Sequence, residues 1–443
     1  MRKSILIWGF ASSGKASFDF LYNKKDKFFI FDNSPHVQKE IISRFSATHN
    51  VFALNSINKD VIDGMDLIVI SPSVSVFDKN ISYAKTIGKE VISELELGAR
   101  NFKGKLVAIT GTNGKTTTTR LVGNILKVAG KRHELVGNIG VPICSKLKHS
   151  RGKIFVCETS SFQLEAVKTF HPHIACLLNI TEDHLDRHKT MKNYEDMKYR
   201  IFANQGAKDY AVIKMGLGCG KIKSNIYNFG FSEQKNSCYT LDDKIWFDNG
   251  KYAEVVCNVS DVPILGRHNI ENVMASIAIC KLLKIRNKHI VQGIKTFVPS
   301  EHRLQLVRTV GNVRFFDDSK ATNIDAVKVA LEAMDKTRNI ILLLGGSDKG
   351  LSYKQIFETM PKNVAKILAF GGISNSIINE AKECGLSVEG YKTLKEAAFE
   401  ACRNENCDVL LSPGSASFDE FENYKDRGKK FLEYVEEYFK MNT

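Results

Sequence analysis

Residues 109–119 read ITGTNGKTTTT, and the chain on either side supports one interpretation of this stretch. The run KLVAIT at 105–110 is apolar and rich in β-formers, as expected of a buried strand. After the glycines, apolar residues recur at helical spacing from 121 to 126. A strand, a glycine-containing loop and a helix N-terminus together present backbone N–H groups to an anion. The order therefore predicts a phosphate-binding loop at 111–114.

The motif is a shortened form of the common phosphate-loop pattern. The full pattern is G-x-x-x-x-G-K-[ST], but Ile109 stands where its first glycine is expected. In the remaining G-x-x-G-K-T, Lys115 is expected to reach the β- and γ-phosphates and the Thr116 hydroxyl to bind Mg²⁺. The alternative is a solvated polar turn before a threonine-rich helix. The strand before the loop and the helix after it favour the phosphate loop.

Length and composition favour a multidomain globular protein. A chain of 443 residues is too long for one hydrophobic core, so two or three domains are expected. The net charge of +14 could indicate a nucleic-acid partner, but the lysines and arginines are scattered rather than clustered. This distribution favours small anionic substrates and no nucleic acid.

Cysteine usage and hydropathy favour a cytoplasmic protein. The ten cysteines occur singly, without CxxC pairs, and the apolar surroundings of Cys157, Cys176 and Cys280 are typical of buried free thiols. No signal peptide is evident, and no apolar stretch is long enough to span a membrane. We therefore expect a cytoplasmic protein with no membrane partner.

The first 97 residues predict a Rossmann-like domain. The run SILIW at 4–8 predicts a strand, and GFASSGKA follows it at 9–16. Ala16 replaces the metal-binding hydroxyl of a phosphate loop, and Ala11 replaces the middle glycine of a dinucleotide fingerprint. We therefore predict a turn that holds a diphosphate without a catalytic metal.

Two further strands of this region end in candidate ligand contacts. A strand at 27–32 ends at Asp32, which is either a ribose-binding carboxylate or the cap of a turn. A strand at 66–71 ends at Ser71. Ligands of open α/β sheets bind at such carboxyl ends. Another strand at 89–93 and a helix at 94–100 complete the predicted domain.

Polar side chains also follow two strands of the central region. A strand at 153–159 ends at Glu158, where a carboxylate could hold Mg²⁺ against the phosphates. A second strand runs into NITEDHLDRH at 179–188, which contains two histidines among carboxylates. The alternative for that segment is a polar loop that caps a helix. In the next helix, at 194–202, Lys198 and Arg200 have the pattern of ordinary solvated charges.

The remainder of the chain predicts a β-rich segment and a second doubly wound sheet. Residues 208–262 are β-rich, with a hairpin signal at 248–250. Beyond Pro299, strands at 313–317, 340–345, 366–370 and 408–411 alternate with helices. Polar clusters follow three of these strands, at 317–323, 345–350 and 412–419. Three clusters at one edge of a sheet indicate a ligand pocket.

Nine motifs, in this order, resemble the Mur ligases, cytoplasmic ATP-dependent enzymes that extend the stem peptide of peptidoglycan. They are GTNGKTT, GNIG, ETSSFQL, NITEDHLDRH, GRHNIEN, HRLQ, DDSKATN, LLLGGSDKG and LSPGSASFDEF. The combination of GTNGKTT, DSKATN and SPGSASFDEF is similar to the D-glutamate-adding branch, and the Asn-Pro-Arg signature of the diamino-acid-adding branch is absent.

The resemblance implies an α/β fold of three domains. These are a Rossmann-like domain at 1–97 for the UDP-substrate, a central ATP-binding domain of the P-loop ATPase type at 98–298, and a C-terminal Rossmann-like doubly wound sheet at 299–443 for nucleotide and amino acid. A folylpolyglutamate-synthase-like ligase or another Mur branch is the alternative. The strands before residue 97 argue against the former.

The resemblance also implies an amide-forming reaction in peptidoglycan synthesis, and hence a role in cell-wall biogenesis, cell shape and cell division. ATP phosphorylates the carboxylate of UDP-N-acetylmuramoyl-L-alanine, and the amine of D-glutamate attacks the acyl phosphate. Two Mg²⁺ sites, a carbamylated Lys198 and a monomeric enzyme are expected. Carbamylation would turn Lys198 into an oxygen ligand and overturn its interpretation as a solvated charge.

Finally, the resemblance implies roles for particular residues. The catalytic residues are Lys115, His184 and Lys198, and the metal ligands are Thr116, Glu158, His184 and, if carbamylated, Lys198. The ATP-binding residues are Gly111, Thr112, Asn113, Gly114, Lys115, Thr116, Thr117, Asn272, Arg303 and Asp317. The UDP-substrate-binding residues are Ser12, Ser13, Asp32, Ser71, Asn138 and Ser160. The D-glutamate-binding residues are Thr322, Lys349, Ser417 and Tyr424.

Overall fold

The computed structural model describes residues 2–264, 266–299, 301–347, 350 and 352–441. The chain forms two compact units, the first from Met1–Val262 with Glu271–Phe297, the second from Pro263–Ile270 with Val298–Thr443. Three sheets, of five, nine and six strands, account for the described strands. The predicted α/β fold with mostly parallel sheets is confirmed.

The first sheet of the first unit is parallel, in the order β3-β2-β1-β4-β5. Its strands read as nearly continuous apolar runs because helices cover both faces of such a sheet. The predicted strands are confirmed, whereas β3, which has only three residues, was not predicted. The elements are β1 (Ser4–Trp8), α1 (Ser12–Leu21), β2 (Lys27–Phe31), α2 (Pro35–Phe45), β3 (Val51–Ala53), α3 (Lys59–Asp63), β4 (Leu67–Ile70), α4 (Lys79–Thr86), β5 (Glu90–Ser93) and α5 (Glu94–Asn101).

The second sheet of this unit has the order β14-β13-β12-β11-β10-β9-β6-β8-β7. It is parallel from β7 to β12, and β13 and β14 form the predicted antiparallel hairpin. Its strands are β6 (Lys105–Thr110), β7 (His133–Gly137), β8 (Ile154–Glu158), β9 (Ile174–Leu177), β10 (Tyr210–Lys214), β11 (Asn225–Gly230), β12 (Ser237–Leu241), β13 (Lys244–Asp248) and β14 (Ala253–Asn258). Its helices are α6 (Lys115–Val128), α7 (Ser161–Leu164), α8 (Leu185–His188), α9 (Met191–Tyr199), α10 (Arg267–Leu282, of which Glu271 onwards belongs to this unit) and α11 (Asn287–Lys295).

Helix α5 joins the two sheets of the first unit through a buried carboxylate. Glu96 is fully buried and accepts hydrogen bonds from the Lys168 and Thr169 backbone N–H groups (2.9 and 2.8 Å) and the Thr169 hydroxyl (2.6 Å). Burial alone would raise the pKa of Glu96, but these bonds and one from Arg100 lower it overall. The carboxylate therefore anchors α5 to the chain before β9 as a charged group.

The second unit contains a sheet in the order β15-β16-β20-β17-β18-β19. Its four predicted strands are confirmed; the antiparallel edge strand β15 and the short β19 were not predicted. The strands are β15 (Gln305–Val310), β16 (Val313–Asp317), β17 (Asn339–Gly345), β18 (Val364–Phe370), β19 (Glu389–Tyr391) and β20 (Cys407–Gly414). The helices are α12 (Ile324–Ala333), α13 (Lys354–Glu358), α14 (Ser374–Glu383), α15 (Leu394–Ala401) and α16 (Tyr424–Met441).

The thiols follow the sequence-based expectation. All ten cysteines are free; Cys219 and Cys384 are partly exposed, and the others are buried. Burial raises the pKa of the Cys157 thiol to about 12. None of the helices in the described part of the chain combines the length and apolar character needed to span a bilayer.

A second buried carboxyl group at the start of α5 makes folding stability depend on pH. Glu94 is 2% exposed, and its Oε1 accepts a hydrogen bond from the Cys144 backbone N–H at 2.7 Å. Its Oε2 has no hydrogen-bond partner among the described residues. Burial raises the pKa of Glu94 from 4.5 to about 7. The folded state therefore favours the protonated form of this side chain.

Replacing Glu94 with Gln should stabilise the protein more at pH 8 than at pH 5. Because the folded pKa exceeds the unfolded one, the stability carried by protonated Glu94 is complete below about pH 4.5 and is lost as the pH rises towards about 7. The shift corresponds to roughly 3 kcal/mol at most. Thermal unfolding midpoints of both proteins at both pH values test this, since other titrating groups cancel in the comparison. An equal difference at both pH values would contradict it.

Candidate active site

The predicted strand, glycine loop and helix are confirmed as β6, residues 111–114 and α6. Gly114 precedes the helix with a φ of +83°, and a Cβ added there would collide with the side chain of Asn272. Gly111 has a φ of +156°, and its added Cβ would lie 2.9 Å from Cβ of Leu178. The loop backbone therefore takes a course that side chains at these two positions would block.

Polar side chains fix the loop from both directions. The Nζ of Lys115 donates to the carbonyl oxygens of Gly111 at 2.8 Å and Thr112 at 2.6 Å, so its ammonium group lies over the loop. The amide of Asn179, at the end of the neighbouring β9, accepts from the Asn113 N–H at 2.8 Å and donates to its carbonyl at 3.1 Å. The loop is thus held to the adjacent strand end before any ligand binds.

Glu158 lies beside this loop because β8 pairs in parallel with β6, with Glu158 opposite Ile109. The carboxylate is 2% exposed, and its Oε1 accepts from Asn138 Nδ2 at 2.8 Å. Its Oε2 has no hydrogen-bond partner among the described residues. A buried carboxylate oxygen without a partner is costly, and a cation would satisfy it. Oxygen ligands from Glu158 and Thr116 suit Mg²⁺.

Lys198 is not a solvated charge, and the sequence-based expectation for it was wrong. The side chain is 1% exposed, and its Nζ lies 4.4 Å from the ring centroid of Tyr194. The two residues are one helical turn apart on the face of α9 that packs inward. Arg200 is likewise partly buried and donates to the Val167 carbonyl at 2.6 Å. Helical spacing alone did not reveal that this polar face points into the protein.

His184 shares this environment. Its ring lies 6.3 Å from the ring of Tyr194, whose hydroxyl is 3.2 Å from the Thr112 hydroxyl of the glycine loop. Burial lowers the pKa of His184, and the nearby Lys115 and Lys198 lower it further, although Asp183 opposes them. Burial also lowers the pKa of Lys198 well below its usual value, again assisted by Lys115. The predicted catalytic lysines and histidine thus interact electrostatically.

Oxygen donors for a metal ion lie beside the glycine loop. Among the described residues, no group of three or more His, Cys, Asp and Glu side chains is arranged to hold a metal ion. The oxygens of Thr116 and Glu158 fit Mg²⁺ that also binds phosphate oxygens.

The predicted UDP-substrate residues of the first sheet lie around its β1–α1 turn. Ser12 and Ser13 begin α1. Asp32 accepts from the Phe10 N–H at 2.6 Å and the Ser34 N–H at 2.9 Å, so its carboxylate caps turns, and a ribose contact stays a prediction. Ser71 is buried and donates to the Gly9 carbonyl at 2.8 Å.

The other two predicted UDP-substrate residues lie at the end of the neighbouring sheet. Asn138 is exposed, and its backbone N–H and side-chain amide both donate to Glu158, at 2.8 Å each. Ser160 caps α7, where its hydroxyl accepts from the Gln163 N–H at 3.2 Å. Asn138 therefore borders the candidate metal ligand directly.

In the second unit, the three predicted polar clusters follow β16, β20 and β17, which are neighbours in the sheet. Asp317, at the end of β16, accepts from the Ser319 N–H at 2.8 Å and lies 2.6 Å from His302 Nδ1. Asp318 is buried, which raises its pKa to about 7. The sequence placed these carboxylates at one edge correctly, but it did not identify His302 as their partner.

Arg427 connects two of these clusters. It is fully buried and donates to the hydroxyl and carbonyl of Ser319 (2.9 Å each) and to the carbonyls of Ser415 and Ala416 (3.0 and 3.1 Å). Burial lowers the pKa of Arg427 to about 10. Its role had no sequence signal beyond its place in the first turns of α16.

Three of the four predicted amino-acid-binding residues lie in the described part of this unit. Ser417 is 2% exposed, Thr322 is partly buried, and Tyr424 begins α16 with the Lys320 Nζ 3.8 Å from its ring centroid. Arg303, predicted to bind ATP, is partly buried in the same unit. Lys349 lies outside the described residues.

The parallel sheet, the glycine loop and the carboxylate beside it define an α/β protein of the P-loop nucleotide-binding class. Family models match most of the chain: the Mur ligase MurD-like N-terminal domain at residues 3–93, the Mur ligase middle domain at 109–280, and the Mur ligase glutamate ligase domain at 302–415. The chain belongs to the Mur ligase family, whose members are ATP-dependent ligases.

Curated relatives extend this similarity over nearly the whole chain. The chain is 40% identical to the UDP-N-acetylmuramoylalanine–D-glutamate ligase of Caldicellulosiruptor bescii, over 98% of both proteins. It is 36% identical to the ligase of the same name from Thermoanaerobacter pseudethanolicus, again over 98% of both.

Solved structures support the fold. MurF from Acinetobacter baumannii matches with a TM-score of 0.61 at 19% identity, covering 97% of this chain and 93% of that one. MurC from Thermotoga maritima matches with a TM-score of 0.59 at 16% identity, covering 99% and 100%. At such identities the likeness concerns the fold alone.

Replacing Gly114 with Ala should weaken ATP binding by about tenfold or more, because the added Cβ would displace Asn272 or the loop backbone. Gly130, just beyond the other end of α6, provides the control, since it has a φ of +65° but nothing within 4 Å of an added Cβ. The G130A variant carries similar backbone strain and should bind ATP as the unaltered protein does. Titration with a fluorescent ATP analogue measures both; equal losses would attribute the effect to strain alone.

Proposed function

We propose that this chain joins D-glutamate to UDP-N-acetylmuramoyl-L-alanine, with conversion of ATP to ADP and phosphate. The observation that carries the proposal is the similarity to ligases named for this reaction, 40% identical over 98% of the chain. The position of Lys115 and Glu158 beside the glycine loop supports a phosphoryl-transfer step, because Lys115 suits a phosphate anion and Glu158 suits the Mg²⁺ that accompanies ATP.

The first step must bring two anions together. The substrate carboxylate attacks the γ-phosphate, and at 4 Å two unit charges repel by about 4 kcal/mol at an effective dielectric constant of 20. The ammonium group of Lys115, already over the loop, would neutralise phosphate charge. The N-terminus of α6 adds partial positive charge at the same point. These groups lower the barrier by stabilising charge where it develops.

Thr116 and Glu158 would hold Mg²⁺, which supplies positive charge to the phosphate oxygens. Asn138 orients the carboxylate, because its amide occupies Glu158 Oε1 and leaves Oε2 for the ion. We propose that His184 and a carbamylated Lys198 form a second site. The burial of Lys198 and the lack of a salt bridge to it within the described part of the chain are consistent with a neutral amine that can react with CO₂.

The second step requires an amine nucleophile. We propose that Thr322, Lys349, Ser417 and Tyr424 bind D-glutamate, and that Arg303 and Asp317 contact the nucleotide. Arg427 would fix the loops that carry Ser417 and Thr322, since it donates to the carbonyls of Ser319 and Ser415. Attack of the amine on the acyl phosphate gives a tetrahedral intermediate from which phosphate leaves.

We propose that each predicted domain binds a different ligand or part of a ligand. Residues 1–97 would bind the UDP end of the substrate, residues 98–298 ATP and Mg²⁺, and residues 299–443 the amino acid together with part of the nucleotide. We propose a monomeric cytoplasmic enzyme that acts in peptidoglycan synthesis, with no nucleic-acid or membrane partner.

Phosphate release from ATP should depend on both proposed substrates. With UDP-N-acetylmuramoyl-L-alanine present, D-glutamate should support release, and L-glutamate, L-lysine and D-aspartate should not. Release with L-lysine but not D-glutamate would assign the chain to another Mur branch.

The K115A variant should lose about a hundredfold or more in kcat, since one charge-stabilising group contributes roughly 3 kcal/mol to such a step. A coupled phosphate assay measures each rate.

A carbamate on Lys198 should be detectable directly. In ¹³C-bicarbonate the protein should show a carbamate carbon resonance that the K198R variant lacks, and K198R should lose most of its activity. Lys192 is the matched control, because it lies on the same helix but is exposed and paired with Asp196 at 2.6 Å. The K192R variant should keep both the resonance and the rate. Full activity without a resonance in the unaltered protein would exclude the modification.

A further inference from the structure

Arg187 connects the loop after β4 to Glu165, the residue that follows α7. On one side, its Nη1 donates to the Pro72 carbonyl at 2.8 Å and its Nη2 to the Val74 carbonyl at 3.0 Å. These carbonyls belong to the loop after β4, whose first residue is Ser71. On the other side, Arg187 pairs in a bidentate fashion with Glu165, Nε to Oε1 at 2.9 Å and Nη2 to Oε2 at 2.5 Å.

This pairing is largely removed from water. The side chain of Arg187 is 13% exposed and that of Glu165 is fully buried. Charge-assisted bidentate bonds between such groups are strong and geometrically specific. A lysine has no planar fork and cannot reproduce the four hydrogen bonds. The arrangement therefore fixes the course of the loop at 72–74 relative to the chain around Glu165.

The same guanidinium group is packed against the surroundings of the candidate catalytic histidine. Its Cζ lies 4.3 Å from the ring centroid of Phe162, and that ring lies 4.8 Å from the ring of His184. Arg187 follows His184 by three residues, and its backbone N–H donates to the His184 carbonyl at 3.1 Å. One side chain thus joins the loop after Ser71 to the segment that carries His184.

We propose that Arg187 is a positioning residue that holds the loop at 72–74 against the central sheet. It would thereby set the distance between the place that binds the UDP end of the substrate and the place where the substrate carboxylate reacts. The inference rests on the proposed function, which requires one substrate to reach both places. Neither Arg187 nor Glu165 or Phe162 has a role in the reaction as proposed above.

The physical reason is effective concentration. A substrate held at two places binds tightly only if the geometry between them is fixed, because the first contact then presents the second at high local concentration. Without Arg187, the loop would keep its own contacts, such as the Val74 N–H to Ser71 carbonyl bond at 2.9 Å, but not its place relative to His184. The long substrate would lose affinity, whereas a ligand confined to one place would not.

The test compares three ligands in the full-length protein and its R187M and R187K variants. Calorimetry measures binding of UDP-N-acetylmuramoyl-L-alanine and of UDP, and steady-state kinetics measures KM for ATP. We expect R187M to weaken binding of the full substrate by about tenfold or more, while UDP affinity and KM for ATP change by less than about twofold. R187K, which keeps the charge but not the fork, should recover part of the affinity.

Arg100 provides the matched control. It pairs with buried Glu96 at 2.7 Å at the same junction of the two sheets, but the loop at 72–74 is not among its hydrogen-bond partners. The R100M variant should lower stability without separating the affinities for UDP and full substrate.

Two outcomes would overturn the inference. They are equal losses of affinity for UDP and for the full substrate, and an unchanged affinity for the full substrate, whether or not KM for ATP rises. A failure of the proposed function looks different, because the unaltered protein would then neither bind UDP-N-acetylmuramoyl-L-alanine nor release phosphate when D-glutamate is added. Should R187M fail to fold, R187K serves for the same comparison.

Discussion

The parallel pairing of β6 with β8 places a buried carboxylate beside a glycine loop, and the proposed chemistry depends on this neighbour relation. Glu158 stands opposite Ile109 and is only 2% exposed, yet one of its oxygens lacks a partner among the described residues. Such an oxygen is costly in an isolated fold and favourable next to a cation. The strand pairing thus places an unpaired carboxylate oxygen at the point where phosphates would bind, and a cation there would stabilise it.

Buried charge recurs where the two sheets of the first unit meet. Glu96 remains ionised because hydrogen bonds compensate its burial, whereas Glu94, with one bond from Cys144, favours its protonated form. Arg187 and Glu165 form a third buried polar connection at this junction. Polar contacts of this kind are directional, so they fix the orientation of the joined parts more narrowly than apolar packing would.

In the second unit, one buried arginine joins polar segments that follow the strands. The strand ends after β16 and β20 carry serines and carboxylates that have little apolar surface with which to pack, and Arg427 donates to their backbone carbonyls from a fully buried position. Burial lowers the pKa of Arg427 to about 10, and the carboxylates of Asp419, Asp317 and Glu420 oppose this decrease.

The sequence by itself determined most of the long strands, the glycine loop and the strand ends that carry Glu158, Asp317 and Ser417, because apolar periodicity and loop glycines are local signals. It missed the short strands β3 and β19 and the edge strand β15. It did not determine which faces of the polar helices turn inward. The pattern around Lys198 indicated an ordinary solvated charge, yet Lys198 is buried against Tyr194. The sequence assigned no role to Arg187, which joins the loop after β4 to Glu165. Only the tertiary structure decided these roles, because burial and pairing arise from residues distant in the chain, such as Glu165 and Pro72, whose approach no local pattern records.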